Sequence, residues 1–168
     1  YLYLQRSDAA IDDFTQAIKL NPHNQMAYSN RGAAYVYQHN YTAAIDDFTQ
    51  VLSLNPQASD IYNNRAYVYI QIGKDDAAIA DCSQAIAINP QNEAAYKNRG
   101  QAYLNQQHYD LAMADCSQAI ALDPQNAPAY SIRGQIYEAL GRKDQAIADL
   151  TQALKLDPQL TEAARHLK

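Results

Sequence analysis

The amino-acid sequence predicts an all-α protein built as a solenoid of antiparallel helix pairs, and three observations lead to that class. Pro22, Pro56, Pro90, Pro124 and Pro158 recur at 34-residue intervals without insertion. Between them the apolar residues follow the period of two successive helices. A short frame, "AYSNRGAAY" at 27–35, returns as "IYNNRAYVY" (61–69), "AYKNRGQAY" (95–103) and "AYSIRGQIY" (129–137). A helical hairpin of this length cannot bury its apolar face alone, so the units must stack and share a core.

Each proline ends an "LNP", "INP" or "LDP" tripeptide, a helix stop followed by a turn. With that proline as position 32, full repeats span 25–58, 59–92, 93–126 and 127–160. A partial repeat, 1–24, precedes them, and 161–168 starts a further or capping helix. Tyr1 takes position 11, late in an incomplete first helix. Helix A is expected over positions 1–14, with Tyr28, Gly32 and Tyr35 on its buried stripe in the unit 25–58. Helix B is expected over positions 18–31, burying Ala44, Ile45, Phe48, Val51 and Leu52. Asp8, Thr42, Asp76, Asp110 and Asp144 fall at its start, where a side-chain oxygen caps free N–H groups and an acid meets the positive end of the dipole. Asn24, Ser59, Asn92, Asn126 and Thr161 are the matching caps for helix A, and Gly73 and Gly141 suit the turn between helices.

Composition excludes several functions. The formal net charge is −5 and no basic run occurs, whereas a phosphate-backbone binder needs clustered Lys and Arg; nucleic acid is not an expected partner. No apolar run reaches the roughly 20 residues that span a bilayer, so membrane insertion is not expected either. Cys82 and Cys116 stand one repeat apart, beyond the reach of a disulfide, and nothing argues for an oxidising compartment; an intracellular setting is favoured. They read as small core residues. His23, His39, His108 and His166 lack metal-ligand spacing, and no phosphate loop, nucleophile elbow or Cys–His constellation is present. No cofactor is implied, and a non-catalytic role is expected.

At the level of motif the chain resembles the tetratricopeptide repeat (TPR) family over essentially its whole length. That pattern has an aromatic at position 4, a small residue at 8, an aromatic at 11, alanine at 20, an aromatic or small apolar residue at 24, alanine at 27 and proline at 32. Tyr28, Gly32, Tyr35, Ala44, Phe48, Val51 and Pro56 supply it in one unit, and Tyr96, Gly100, Tyr103, Ala112, Cys116, Ala119 and Pro124 in another. The resemblance implies a right-handed superhelix acting as a protein-interaction scaffold. Position 7 departs from the family's usual leucine: it is Arg31, Arg65, Arg99 and Arg133.

These arginines share the buried stripe with the tyrosines, and a buried cation needs a partner. Position 23 offers one in Asp13, Asp47, Asp81, Asp115 and Asp149. The simplest expectation is pairing between neighbouring units, as Asp13–Arg31, Asp47–Arg65, Asp81–Arg99 and Asp115–Arg133; pairing within each unit is the alternative. Arginine suits the place because its planar fork meets a carboxylate with two bonds.

Position 6 lies about 100° around the helix from position 7. In TPR superhelices positions 2, 5, 6, 9, 12 and 13 line the concave groove, and the resemblance puts Asn30, Asn64 and Asn98 there, with Tyr37, Tyr67, Asn63, Lys97 and Gln101. An asparagine amide both donates and accepts, so three in register can hold an extended peptide backbone. The arrangement resembles the asparagine ladder in the TPR region of O-linked N-acetylglucosamine transferase. Helix bracing is the alternative reading of these residues. The clamp by which co-chaperone TPR domains grip acidic C-terminal tails is absent from the full repeats, where Ser29 and Ala33 stand in place of its Lys and Asn. A peptide segment of a protein partner is thus the expected ligand, with self-association through the ends, or a regulatory role within a larger protein, as alternatives.

Overall fold

Residues 2–167 are described, in a computed structural model, with side chains from Ser7 onward. Ten helices follow in order among them: α1 (Leu2–Leu20), α2 (Gln25–Tyr37), α3 (Tyr41–Leu54), α4 (Ser59–Gln71), α5 (Asp75–Ile88), α6 (Glu93–Asn105), α7 (Tyr109–Leu122), α8 (Ala127–Ala139), α9 (Lys143–Leu156) and α10 (Thr161–His166). No strand occurs among the described residues. Consecutive helices pack as pairs, α2 on α3 through α8 on α9, and each second helix also packs on the first helix of the next pair. This is an all-α TPR-type solenoid.

The helix stops follow from local chemistry. Asn55, Asn89, Asp123 and Asp157 end their helices in extended conformation, as a residue before proline must. Their side-chain oxygens accept the N–H two residues on, at 2.9–3.1 Å, forming Asx turns. Asn24, Asn92 and Asn126 then cap α2, α6 and α8, accepting from Ala27, Ala95 and Ala129 at 3.0–3.1 Å. Ser59 does not cap α4, whose cap position is Ala58. The Ser59 hydroxyl instead donates to the Ala85 carbonyl and accepts from Asn92 Nδ2, both at 2.9 Å. Thr161 likewise lies one residue inside α10.

Two further expectations are corrected. The position-18 residues are not caps. Thr42, Asp76, Asp110 and Asp144 lie within the first turn, and the caps are Asn40, Lys74, His108 and Arg142, of which only Asn40 makes a side-chain cap bond. The acids still meet the helix dipole, and Asp8 and Asp76 also accept from Gln38 and Gln106 of the following pair at 2.6 and 2.7 Å. Nor does a turn precede Asp8, because α1 is one unbroken helix. A turn between helices gives up helical hydrogen bonds and is offset by packing the first helix along the second. In α1 the ladder of backbone hydrogen bonds runs on through that place instead. Tyr1 lies outside the described residues.

Between paired helices the core is set by matched sizes at two facing positions. Gly32 faces Phe48, Gly100 faces Cys116 and Gly134 faces Leu150; a Cβ on these glycines would sit 2.7–2.8 Å from the opposing side chain. Ala66 and Cys82 pack in one buried cluster at the corresponding place. Gly73 and Gly141 take φ of +70° and +71° in the interhelical turns, while His39 and Gln107 hold the same conformation at 57° and 61°.

Candidate functional site: the groove along the first helices

Arginines tie each pair together and fix the orientation of the helices that line the groove. Arg31 grips Asp47 with Nε and Nη2 at 2.8 and 2.7 Å, and Arg65, Arg99 and Arg133 grip Asp81, Asp115 and Asp149 the same way at 2.6–2.9 Å. Pairing therefore runs within each hairpin, and the expected pairs Asp13–Arg31, Asp47–Arg65, Asp81–Arg99 and Asp115–Arg133 do not form. The reason is register: the aspartate sixteen residues after each arginine lies directly across the hairpin. Asp13 is exposed.

The link to the neighbouring pair uses the remaining nitrogen, which donates to Thr15, Thr49, Ser83 and Ser117 of the preceding helix at 2.9–3.4 Å. Sequence reasoning passed over these hydroxyls, although Ser or Thr at position 25 of every unit was their signal. Each guanidinium also lies 5.6–5.9 Å from a tyrosine ring, namely Tyr28, Tyr62, Tyr96 or Tyr130, within cation–π range. The aspartate hydrogen bonds, against a smaller opposing effect of burial, hold all four guanidinium groups above arginine's ordinary value.

With the first helices so fixed, α4 packs on α6 and α6 on α8, and the face they share carries two adjoining cavities. The smaller, about 320 Å³, is lined by Val36, Asn63, Asn64, Tyr67, Lys97 and Asn98 among others. The larger, about 460 Å³, takes in Tyr67, Lys97, Asn98, Gln101, Ser131 and Ile132. Tyr67, Lys97 and Asn98 line both, so the two form one trough. Six of the eight residues assigned to the groove from sequence come together here; Asn30 and Tyr37 are exposed on α2 and line neither cavity.

The three asparagines are not equivalent. Asn30 and Asn64 are exposed, whereas Asn98 is 4% exposed and donates to Asn63 Oδ1 at 2.8 Å, joining α6 to α4. Gln101 donates to Asn105, and Asn105 to Asp75, at 2.9 and 2.8 Å. Lys97 is half-buried, and burial pushes its ammonium below lysine's ordinary value. Cys82 and Cys116 lie in the core beneath, each raised to about 12 by burial, which keeps the thiols protonated. Among the described residues no cluster suited to a metal ion occurs, and no helix is long and apolar enough to cross a membrane.

Comparison with known families places this geometry. Tetratricopeptide repeat profiles match residues 1–36, 30–93 and 100–166, and the chain belongs to that family. Among solved structures it is similar to MamA (24% identity, TM-score 0.80, covering 93% of this chain and 91% of that one). It also resembles YrrB, described as a TPR protein with an unusual peptide-binding site (21%, TM-score 0.74, 96% and 83%). A third is the first TPR of Spaghetti (RPAP3), solved with the HSP90 peptide SRMEEVD (30%, TM-score 0.67, 70% and 93%). Comparison with curated proteins gives no match. The family's members are in general protein-interaction scaffolds.

Proposed function

We propose that this chain is a non-catalytic scaffold that holds an extended peptide segment of a protein partner along the trough on α4, α6 and α8. The observation that carries the reading is the continuity of the two cavities through Tyr67, Lys97 and Asn98. Tyr67 is 41% exposed there, an amphipathic ring with little rotamer freedom to lose on contact. Asn64 presents an open amide for the ligand backbone. One structural neighbour solved with a bound peptide, and another described as having a peptide-binding site, support the class of ligand.

Selection from a random-peptide library, run on the parent and on Asn64→Ala/Tyr67→Ala, tests this. Both positions are exposed, so the fold is retained, as circular dichroism checks. Peptides enriched on the parent and lost on the variant are expected; equal enrichment on both contradicts the reading. Self-association is a second reading, favoured by Leu20 and Met26, which are 88% and 73% exposed near the first turn. A mass that rises with concentration and is indifferent to the groove substitutions would favour it.

A further inference from the structure

Resting on that peptide-groove reading, we infer that the larger cavity is a subsite for one acidic side chain, an Asp or Glu of the bound segment, held between Lys97 on α6 and Ser131 on α8. Two independent observations meet there. Lys97 is the only cation lining either cavity, and no carboxylate pairs with it among the described residues. Glu93, one turn earlier on α6, ranks behind burial and the Cys82 and Cys116 thiols among the influences on it, and Glu162 is exposed on the cavity rim. Ser131 is 3% exposed, and its hydroxyl is buried without a hydrogen-bond partner.

A desolvated ammonium and a buried, unbonded hydroxyl are each unfavourable alone. Both are relieved by the same group. An ammonium offers three donors and no acceptor, and the hydroxyl has its proton to give, so the complement is an acceptor-only anion with two oxygens, a carboxylate. The burial that depresses Lys97 in the free protein is the loss such a ligand reverses. Asn98 and Gln101 each have one amide hydrogen committed, to Asn63 and Asn105, whereas the Ser131 hydroxyl has no partner among the described residues. Next to them Ile132 and Pro128 are apolar and suit the methylene stem of Asp or Glu.

The test uses a random-peptide library displayed at the amino end of its carrier, so that no free C-terminal carboxylate is offered. It is run on the parent, Lys97→Met, Lys97→Arg, Ser131→Ala and Asn64→Ala/Tyr67→Ala. Peptides enriched on the parent are expected to share one Asp or Glu in constant register. Replacing that residue by its amide should weaken binding about tenfold on the parent, as befits a charge-assisted hydrogen bond, and hardly at all on Lys97→Met. Lys97→Arg should retain the preference, and Ser131→Ala should reduce it. Competing inorganic phosphate, matched against chloride, should not displace the peptides.

Enriched peptides that depend on Asn64 and Tyr67 yet carry no fixed acid would overturn the subsite and leave the groove standing. So would displacement by phosphate, or an amide penalty that persists in Lys97→Met. Enrichment indifferent to Asn64→Ala/Tyr67→Ala would overturn the groove reading itself. A library that yields no enriched peptide would count against both.

Discussion

Arg99 on α6 holds both oxygens of Asp115 on α7, at 2.7 and 2.9 Å, and reaches with its third nitrogen to Ser83 of the preceding pair at 3.0 Å. One side chain thus closes a hairpin and joins it to its neighbour. The arrangement explains why arginine returns at position 7 although leucine would fill the same stripe. Stability alone does not demand it, since a buried ion pair often does no better than apolar residues of equal size.

Removing one partner differs from removing both. Asp115→Ala strands the Arg99 cation, whose side chain is 20% exposed, and should cost about 3 kcal/mol. Arg99→Leu/Asp115→Leu should recover most of that loss. Urea titration of the three proteins, with their m-values compared, reads the difference directly.

The facing sizes in the core predict unequal responses to one methyl group. Gly32→Ala drives a Cβ to 2.8 Å from the Phe48 ring and should cost about 2 kcal/mol. Gly100→Ala meets the single sulfur of Cys116 at 2.7 Å. That sulfur can turn aside, and an Ala–Cys combination already packs at Ala66 and Cys82. Gly100→Ala should therefore be the milder change in thermal unfolding.

Gln107 sits at φ 61° in the turn before α7, where the turns before α5 and α9 carry glycine. Gln107→Gly relieves the left-handed strain and forfeits some backbone entropy of the unfolded chain. A net gain of about 0.5 kcal/mol is expected, seen as a higher melting temperature. His39→Gly should gain less, because His39 Nδ1 contacts the Tyr41 hydroxyl at 2.9 Å.

Cys82 and Cys116 should resist a thiol reagent in the native state and react at the rate of unfolding. Their pH dependence has a definite sign. Each thiol ionises near 9.0 when unfolded and near 12 when buried. The stability they contribute is complete below pH 9 and is lost progressively between pH 9 and about 12, at up to ~1.36 kcal/mol per pH unit for each thiol. Cys82→Ala/Cys116→Ala should flatten that part of the pH profile.

The fold was legible because a 34-residue period repeats its stops, small residues and aromatics at fixed places, and each acts locally. What the period could not supply was direction. The period puts an aspartate at position 23 both after each arginine in its own unit and before it in the preceding one, so the identity of Arg31's partner depended on how the hairpin closes. The unbroken α1 departs from the frame of the full units for a like reason, since the period alone does not say where a helix breaks. The groove was legible as a stripe, and Asn63, Asn64, Tyr67, Lys97, Asn98 and Gln101 do meet there. Its inequality was not, since the burial of Asn98 and its bond to Asn63 depend on how α4 and α6 pack against each other.

The central claim, that a peptide lies along α4, α6 and α8, is tested most directly by mapping backbone amide shifts by NMR during titration with the most enriched library peptide. The account predicts that the largest shifts fall on Asn64, Tyr67, Lys97, Asn98 and Ser131, with α3, α5 and α7 little changed. Shifts confined to the outer turns or to the two ends of the solenoid, with those five residues silent, would contradict it.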